Sequence, residues 1–398
     1  MSIQSVYRKE LFDIPSDILY LDGNSLGPLP KGAVERASQV IKSEWGGELI
    51  KAWNSADWIS LPKKVGDQIA PIIGAPAGSV ATGDTLSIKV YQALAAALKM
   101  RPDRKIIVSD NGNFPTDLYM AQGLIGTIDK GYELRTPAPE DVADSITDDV
   151  AVVMLTQVDY RSGRMHDMSE ITRKAHEAGA VMIWDLAHSA GAVPLDLAGC
   201  NAEFAVGCTY KYLNGGPGAP AFIYVRPDII EDIQPALAGW MGHDAPFAME
   251  LDYRPAMTTE RMRVGTPPIV QLSILQEALK AWEGVEMEDL RAASIALSEL
   301  FIREVEQRCP QLSLASPRDP DSRGSQVSFA FDHGYPAMQA LIERGVIGDF
   351  RAPNIMRFGF TPLYLNEGNV VAAAKIIEDV INHDLWQNPK YQIKSRVT

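Results

Sequence analysis

Cysteine is scarce in this sequence, with only Cys200, Cys208 and Cys309 among 398 residues. They form no CxxC pair and no even-numbered framework, which argues against a disulfide scaffold or a cysteine-based zinc centre and fits a reducing compartment. Histidine is also sparse: there are six, none in an HExxH pair, and no metal-ligand set is legible. Positive charge is in deficit, because 37 Lys and Arg face 51 Asp and Glu, for a net charge of -14. A nucleic-acid-binding surface requires the opposite balance. No stretch reaches the roughly 18 apolar residues of a membrane-crossing helix. The leading MSIQSVYRKELFDIP has neither an apolar signal core nor a small-residue cleavage site, so the expected location is the cytoplasm. Repeats, low-complexity tracts and long linkers are missing too.

What remains is an alternation of short apolar strands and helix-like stretches. KIIVSD (Lys105–Asp110) is β-branched and ends in polar residues; VAVVMLTQV (Val150–Val158) is apolar throughout, as a strand covered on both faces must be. A helix follows from about Ser169 to near Gly179, then a strand at Val181–Trp184, and FAVGCTY and APAFIYV supply two more. This β-α-β rhythm implies a mostly parallel central sheet with helices on both faces. Beyond residue 265 the pattern changes. Thr266 is the expected N-cap of a helix of about 16 residues with prolines in its first turn. A second helix spans Met287–Gln307, strands follow at Gln326–Phe331 and Ile355–Phe360, and the last helix is Glu367–His383. The expected organisation is an N-terminal segment (1–50) joining the small domain, a large α/β domain (51–275) and a small α+β domain (276–398).

In open parallel sheets, ligands bind at the carboxyl ends of the strands. Three polar features fall there: Asp185 after VMIW, with His188 three residues on; Thr156 in MLTQV; and Lys211 in CTYKYLNGGPGAP. Each has an ordinary reading as a helix cap, a satisfied core histidine or a solvated loop lysine. Together they say more. Lys211 comes 26 residues after Asp185, at the end of the next strand, so adjacent strands bring both side chains into one crevice. A crowded amine can form a Schiff base, Gly215, Gly216 and Gly218 let the backbone approach a ligand, and a carboxylate can keep a ring nitrogen protonated. An amine for an aldehyde and an acid for a pyridine describe a pyridoxal phosphate site. ATGDTLSIKVYQALAAAL offers the anion cradle, with Asp84, Thr85 or Ser87 capping a helix whose first amides face the phosphate.

YLDGNSLG (Tyr20–Gly27), FPTD (Phe114–Asp117), DLAH (Asp185–His188), TYKYLNGGPG, GWMGH (Gly239–His243) and GTPPI extend this pattern over nearly the whole chain. In them the sequence resembles the kynureninase family, fold-type-I pyridoxal-phosphate enzymes related to the class V aminotransferases. DLAH and the lysine loop are shared with cysteine desulfurases; LDGNSLG, FPTD and GWMGH together are more specific. The resemblance implies that Lys211 is the Schiff-base lysine, Asp185 the partner of the pyridine nitrogen, and His188 its neighbour. It implies that Phe114 stacks on the ring, within a cofactor segment that also includes Pro115, Thr116 and Asp117, and that Thr156 contacts the ring substituents. Leu86, Ser87 and Tyr210 are implied around the phosphate, completed by Trp240 and Thr266 from the second subunit of a homodimer. Arg357, in NIMRFGF, is implied to clamp the substrate α-carboxylate, with Arg351 as rival candidate; Asn24 and Ser25 are implied near the substrate.

The implied reaction is hydrolysis of L-kynurenine to anthranilate and L-alanine, with 3-hydroxykynurenine as a second candidate substrate. Lys211, released by the substrate amine, is the expected base at the α-carbon, and Tyr210 a proton shuttle. Trp45, Trp53 and Trp58 are candidates for a flat aromatic pocket, or plain core packing. The rivals are a class V aminotransferase, a cysteine desulfurase or selenocysteine lyase, and a cofactor-binding protein without turnover. The desulfurase needs a cysteine on a mobile C-terminal loop, and none follows Cys309.

Overall fold

The computed structural model describes residues 5–394. Its centre is a seven-stranded sheet. In chain order the strands are β1 (Val80–Thr82), β2 (Ile106–Val108), β3 (Glu133–Arg135), β4 (Val150–Thr156), β5 (Val181–Asp185), β6 (Phe204–Gly207) and β7 (Phe222–Val225). Across the sheet they run β1-β7-β6-β5-β4-β2-β3. Only β7 runs against the rest, antiparallel to both β1 and β6. The sheet is therefore mixed and mostly parallel. Every residue of β4 is buried: Val153 and Leu155 enter one hydrophobic cluster, Val152 and Met154 the other. That two-sided burial is why the strand carries no alternation.

Helices α1 (Leu86–Met100), α2 (Pro115–Ile128) and α3 (Met168–Glu177) lie against this sheet. Asp167 caps α3 by accepting from the Glu170 backbone N–H. The chain then reaches α4 (Ile269–Ala278), α5 (Met287–Arg308) and an antiparallel sheet of β8 (Ser313–Leu314), β9 (Gln326–Ala330), β10 (Asp349–Arg351) and β11 (Ile355–Gly359), ordered β8-β9-β11-β10. Helix α6 (Glu367–Asn382) closes the unit, opened by a reciprocal capping box between Asn366 and Asn369.

Strand and helix positions match the sequence reading within a few residues, with two corrections. Thr266 does not cap α4. It precedes Pro267, which precedes Pro268, and a residue before proline is pushed out of helical backbone angles; α4 therefore starts only at Ile269, runs to Ala278 and continues as a tighter turn to Trp282. Cys208 lies just past β6, not within a strand. The N-terminal stretch is stitched to the later sheet region: Leu19–Tyr20 pairs parallel with Val346–Ile347, and the Gly359 N–H donates to Leu21. Among the described residues no helix is long and apolar enough to cross a membrane.

Candidate active site

Strands β4 and β5 place Thr156 and Asp185 side by side, directly paired at their carboxyl ends. The Thr156 hydroxyl lies 2.5 Å from Asn113 Oδ1 and 3.4 Å from one carboxylate oxygen each of Asp117 and Asp185. Asp185 also accepts the Ala187 backbone N–H at 2.7 Å. Burial, then the charge of Asp185, pushes Asp117 well above the usual carboxylate range. Burial raises Asp185 as well, opposed by Lys211 and by its hydrogen bonds to Ala187, Asp117 and Thr156. Burial thus favours the protonated form of both neighbouring carboxyls, most strongly at Asp117, while Lys211 and the hydrogen bonds to Asp185 favour its charged form, at the carboxyl ends of the central strands.

Lys211 follows β6, the neighbour of β5. Its Nζ lies 2.9 Å from His188 Nε2. Burial, with the nearby Lys211 charge, drives the His188 pKa well below its ordinary value, so the imidazole is neutral. With the amine donating to Nε2, the ring's own hydrogen sits on Nδ1, which is buried without a partner. The loop carrying Lys211 folds back at once: the Asn214 N–H donates to the Lys211 carbonyl, and Gly216 takes φ +83°. Gly27 of the N-terminal motif packs against this turn so closely that a Cβ there would collide with the Lys211 carbonyl and Asn214. The Gly27 N–H also donates to the Tyr210 carbonyl at 2.8 Å. Burial raises the Tyr210 phenol, keeping it protonated.

Phe114 opens α2 with extended backbone angles, Pro115 and Thr116 fill its first turn, and Asp117 turns inward. The Phe114 ring is 43% exposed and meets Tyr160 edge-on at 5.2 Å. At α1 the side-chain cap expected from Asp84, Thr85 or Ser87 does not form. Asp84 instead takes a left-handed conformation (φ +54°) and pairs with buried Lys89. The first turn at Leu86 and Ser87 therefore keeps backbone amides uncapped by a side chain, the feature an anion cradle requires.

Arg357 is 1% exposed and heavily engaged. It sits directly across from Asp349 on β10. Nε donates to Asp349 Oδ1 at 2.5 Å, Nη2 reaches the other Asp349 oxygen and Ser25, and Nη1 donates to the Tyr160 carbonyl. Arg351 pairs with the same carboxylate and is about one-third exposed. Burial works against the charge of Asp349, but its bonds to Arg357 hold the pKa below the ordinary value. Burial and the Asp349 charge push the nearby Asp22 up to about 7. Asn24 is fully buried, donating to Gln326 at 3.4 Å, and its Oδ1 has no partner.

The geometry thus gathers Thr156, Asp185, Asp117, His188 and Lys211 into one cluster, and Ser25 and Arg357 into a second. Tyr160 joins them, with its ring on Phe114 and its carbonyl on Arg357. Trp240 and Thr266 are exposed on this chain. Trp45 is exposed, whereas Trp58 is buried and donates to Glu44 at 2.8 Å, with Trp53 edge-on against it. Sequence reasoning missed Asn113, Tyr160, Asp22 and Asp349. Asp349 had a legible signal, an acid and an arginine eight residues apart across a strand–turn–strand pattern. Among the described residues no group of three or more His, Cys, Asp and Glu side chains could hold a metal ion.

A pyridine ring with an acidic N–H fits this arrangement. The buried Asp185 carboxyl suits a ring N–H, the exposed Phe114 face suits a flat π-system, the Lys211 amine suits an aldehyde, and the buried His188 Nδ1 is without a partner.

The whole fold is shared with solved cysteine desulfurases. A cysteine desulfurase from Escherichia coli matches at a TM-score of 0.80 and 18% identity, over 96% of this chain and 99% of that one. The apo cysteine desulfurase from Thermococcus onnurineus NA1 gives the same values. A C-DES variant with glycine covalently linked to the PLP cofactor matches at 0.80 and 17%, over 93% and 98%. The architecture is therefore that of the fold-type-I PLP enzymes. Sequence kinship is narrower. Residues 290–377 match the kynureninase C-terminal domain model. Kynureninases from Burkholderia pseudomallei (strain 1106a) and Pseudomonas fluorescens are 49% and 47% identical, over 98% of this chain and 95% of theirs. The chain belongs to the kynureninase family.

Proposed function

We propose that this protein hydrolyses L-kynurenine to anthranilate and L-alanine in tryptophan breakdown, using pyridoxal 5'-phosphate. The observation that carries the reading is the Lys211 amine, held at 2.9 Å by a neutral imidazole beside a buried acid pair, in a chain with full-length kynureninase kinship. When bound, the cofactor supplies an electron sink that makes the substrate's α-hydrogen acidic and its Cβ–Cγ bond cleavable. Lys211, Asp185, His188, Thr156, Phe114 to Asp117 and Tyr210 would hold it, with Leu86 and Ser87 at the phosphate.

The chain's own groups then divide the work. Asp185, its charged form favoured by Lys211 and by its bonds to Ala187, Asp117 and Thr156, would keep the proton on the ring nitrogen. His188 stays neutral because it is buried, so its Nε2 accepts from the Lys211 amine and aims it. Lys211 Nζ takes the α-proton from substrate carbon. Tyr210, protonated because burial raises its pKa, supplies a proton to the departing three-carbon fragment. Arg357, fixed by Asp349, Ser25 and the Tyr160 carbonyl, has one Nη1 hydrogen left for the substrate carboxylate, with Ser25 and Asn24 alongside. Water adds to the γ-carbonyl, and the bond to Cβ breaks to leave anthranilate.

We also assign the cofactor site to a homodimer in which Trp240 and Thr266 complete the partner's phosphate pocket. Their exposure supports this, as does an open apolar cavity of about 610 Å³ lined by Leu29, Val34, Ile41, Pro217 and Ile274. The division at residues 50 and 275 belongs to the same reading; the pairing of Leu19–Tyr20 with Val346–Ile347 supports joining the first segment to the small domain.

A desulfurase mechanism lacks its nucleophile. Cys208 and Cys309 are buried, Cys200 is half-buried, and burial raises all three thiols. The test is direct. Purified protein is yellow, borohydride removes the band and fixes a pyridoxyl group on Lys211, and L-kynurenine yields fluorescent anthranilate and alanine. Parallel turnover of 3-hydroxykynurenine reads the ring preference. A yellow protein that forms neither product but turns over with a keto acid is an aminotransferase instead.

A further inference from the structure

Lys89 is a lysine with no exposure at all, one turn inside α1. Its Nζ makes three bonds: to Asp84 Oδ2 at 3.2 Å, Gln92 Oε1 at 3.0 Å and the Met262 carbonyl at 2.9 Å. Gln92 reaches the same Met262 carbonyl at 3.1 Å. Removing an ammonium from water costs several kcal/mol, and a methionine would fill the same space without that cost. The bonds therefore do something an apolar side chain cannot.

What they join is specific. Asp84 lies two residues before the uncapped first turn of α1, held in a left-handed conformation while its carbonyl accepts from Ala221 on the approach to β7. Met262 begins the segment that runs through Val264, whose carbonyl accepts from Met241 next to Trp240, and on to Thr266. One ammonium thus ties the turn at Leu86 and Ser87 to the segment that carries Thr266 and is hydrogen-bonded beside Trp240. Its cation also offsets the Asp84 carboxylate, which would otherwise repel an anion arriving at the same turn.

We propose that Lys89 is a positioning residue for phosphate binding: it fixes the two chain segments that present phosphate-binding groups and neutralises Asp84 between them. This rests on the cofactor reading above. Lys89 itself touches no phosphate in this scheme.

The test compares pyridoxal 5'-phosphate with pyridoxal, which lacks only the phosphate, by spectroscopic titration of wild type, K89M and D84N stripped of cofactor. K89M should lose roughly tenfold in affinity for the phosphorylated ligand and less than about twofold for pyridoxal. Equal losses for both ligands, or none for either, overturn the proposal. Should K89M fail to fold, D84N keeps the lysine and its two carbonyl acceptors while removing the carboxylate charge. With the lysine cation left uncompensated, D84N should bind the phosphorylated ligand selectively more tightly than wild type does, and a selective loss or an unselective change there counts against the proposal equally. Wild-type protein that takes up no pyridoxal 5'-phosphate overturns the cofactor reading first and this inference with it.

Discussion

Replacing Asp22 by asparagine should stabilise the protein in alkaline solution and change little in acid. The Asp22 carboxyl is pushed from 3.8 to about 7, first by burial and then by the charge of Asp349, against the pull of Arg357, Ser25 and Arg351. A carboxyl whose pKa is raised by folding binds its proton more tightly in the native state. The penalty of ionising it is absent below about pH 4, grows as pH rises towards 7, and is complete above that. About three pKa units at 1.36 kcal/mol each give a full penalty of about 4 kcal/mol. Unfolding entropy of about 2.1 cal/mol/K per residue over this chain converts that to a melting shift of about 5 °C. D22N removes the ionisable group, so its melting temperature should exceed wild type by about 5 °C at pH 8, with the gap shrinking by more than half by pH 5. Calorimetry of cofactor-free protein across that range is the assay. A gap that stays constant with pH would mean that Asp22 ionises as an ordinary carboxylate, and one that closes towards pH 8 that folding lowers its pKa; either refutes the reasoning.

K211A should form no borohydride-fixed pyridoxyl adduct, and anthranilate production should fall by roughly 10³-fold or more as both the anchor and the α-proton base are lost. Persistence of the adduct at another lysine would reassign the site. D349A leaves the Arg357 guanidinium buried without its carboxylate and should cost about 3–5 kcal/mol, read from the urea midpoint; a neutral result would mean that water reaches the arginine. R357K keeps the charge but loses the fork, so KM for L-kynurenine should rise roughly 10- to 100-fold with kcat less affected, matching the loss of about 1.5–3 kcal/mol of charged hydrogen bonding. A fall in kcat at constant KM would place Arg357 in the transition state instead.

The elements that sequence located well are those whose signal is local. An uninterrupted apolar run such as Val150–Thr156 can only be a strand covered on both faces, and a polar residue at its end marks where a ligand is met. The pairing of Asp185 with the lysine loop followed from one rule, that successive strands of such a sheet are neighbours. What sequence could not supply was how groups distant in the chain share protons and charges. Nothing around Asp117 announces that burial beside Asp185 pushes its carboxyl well above the usual range, because that depends on common burial beneath Thr156. Arg357 looked like an open clamp, yet its fork is largely engaged by Asp349 and Tyr160. The start of α4 was misjudged for a local reason: two prolines were read as a helix opening when the first of them only delays it.

Tyr160 leaves one consequence to draw. Its ring abuts Phe114 while its carbonyl is gripped by an arginine of the other sheet, so shelf and clamp are linked through a single residue. The distance between the surface that suits the cofactor ring and the arginine that meets the acid group is therefore set through one residue. The arginine's hold is on a peptide oxygen, which no substitution at position 160 removes, whereas the contact with Phe114 is through the ring and goes with it.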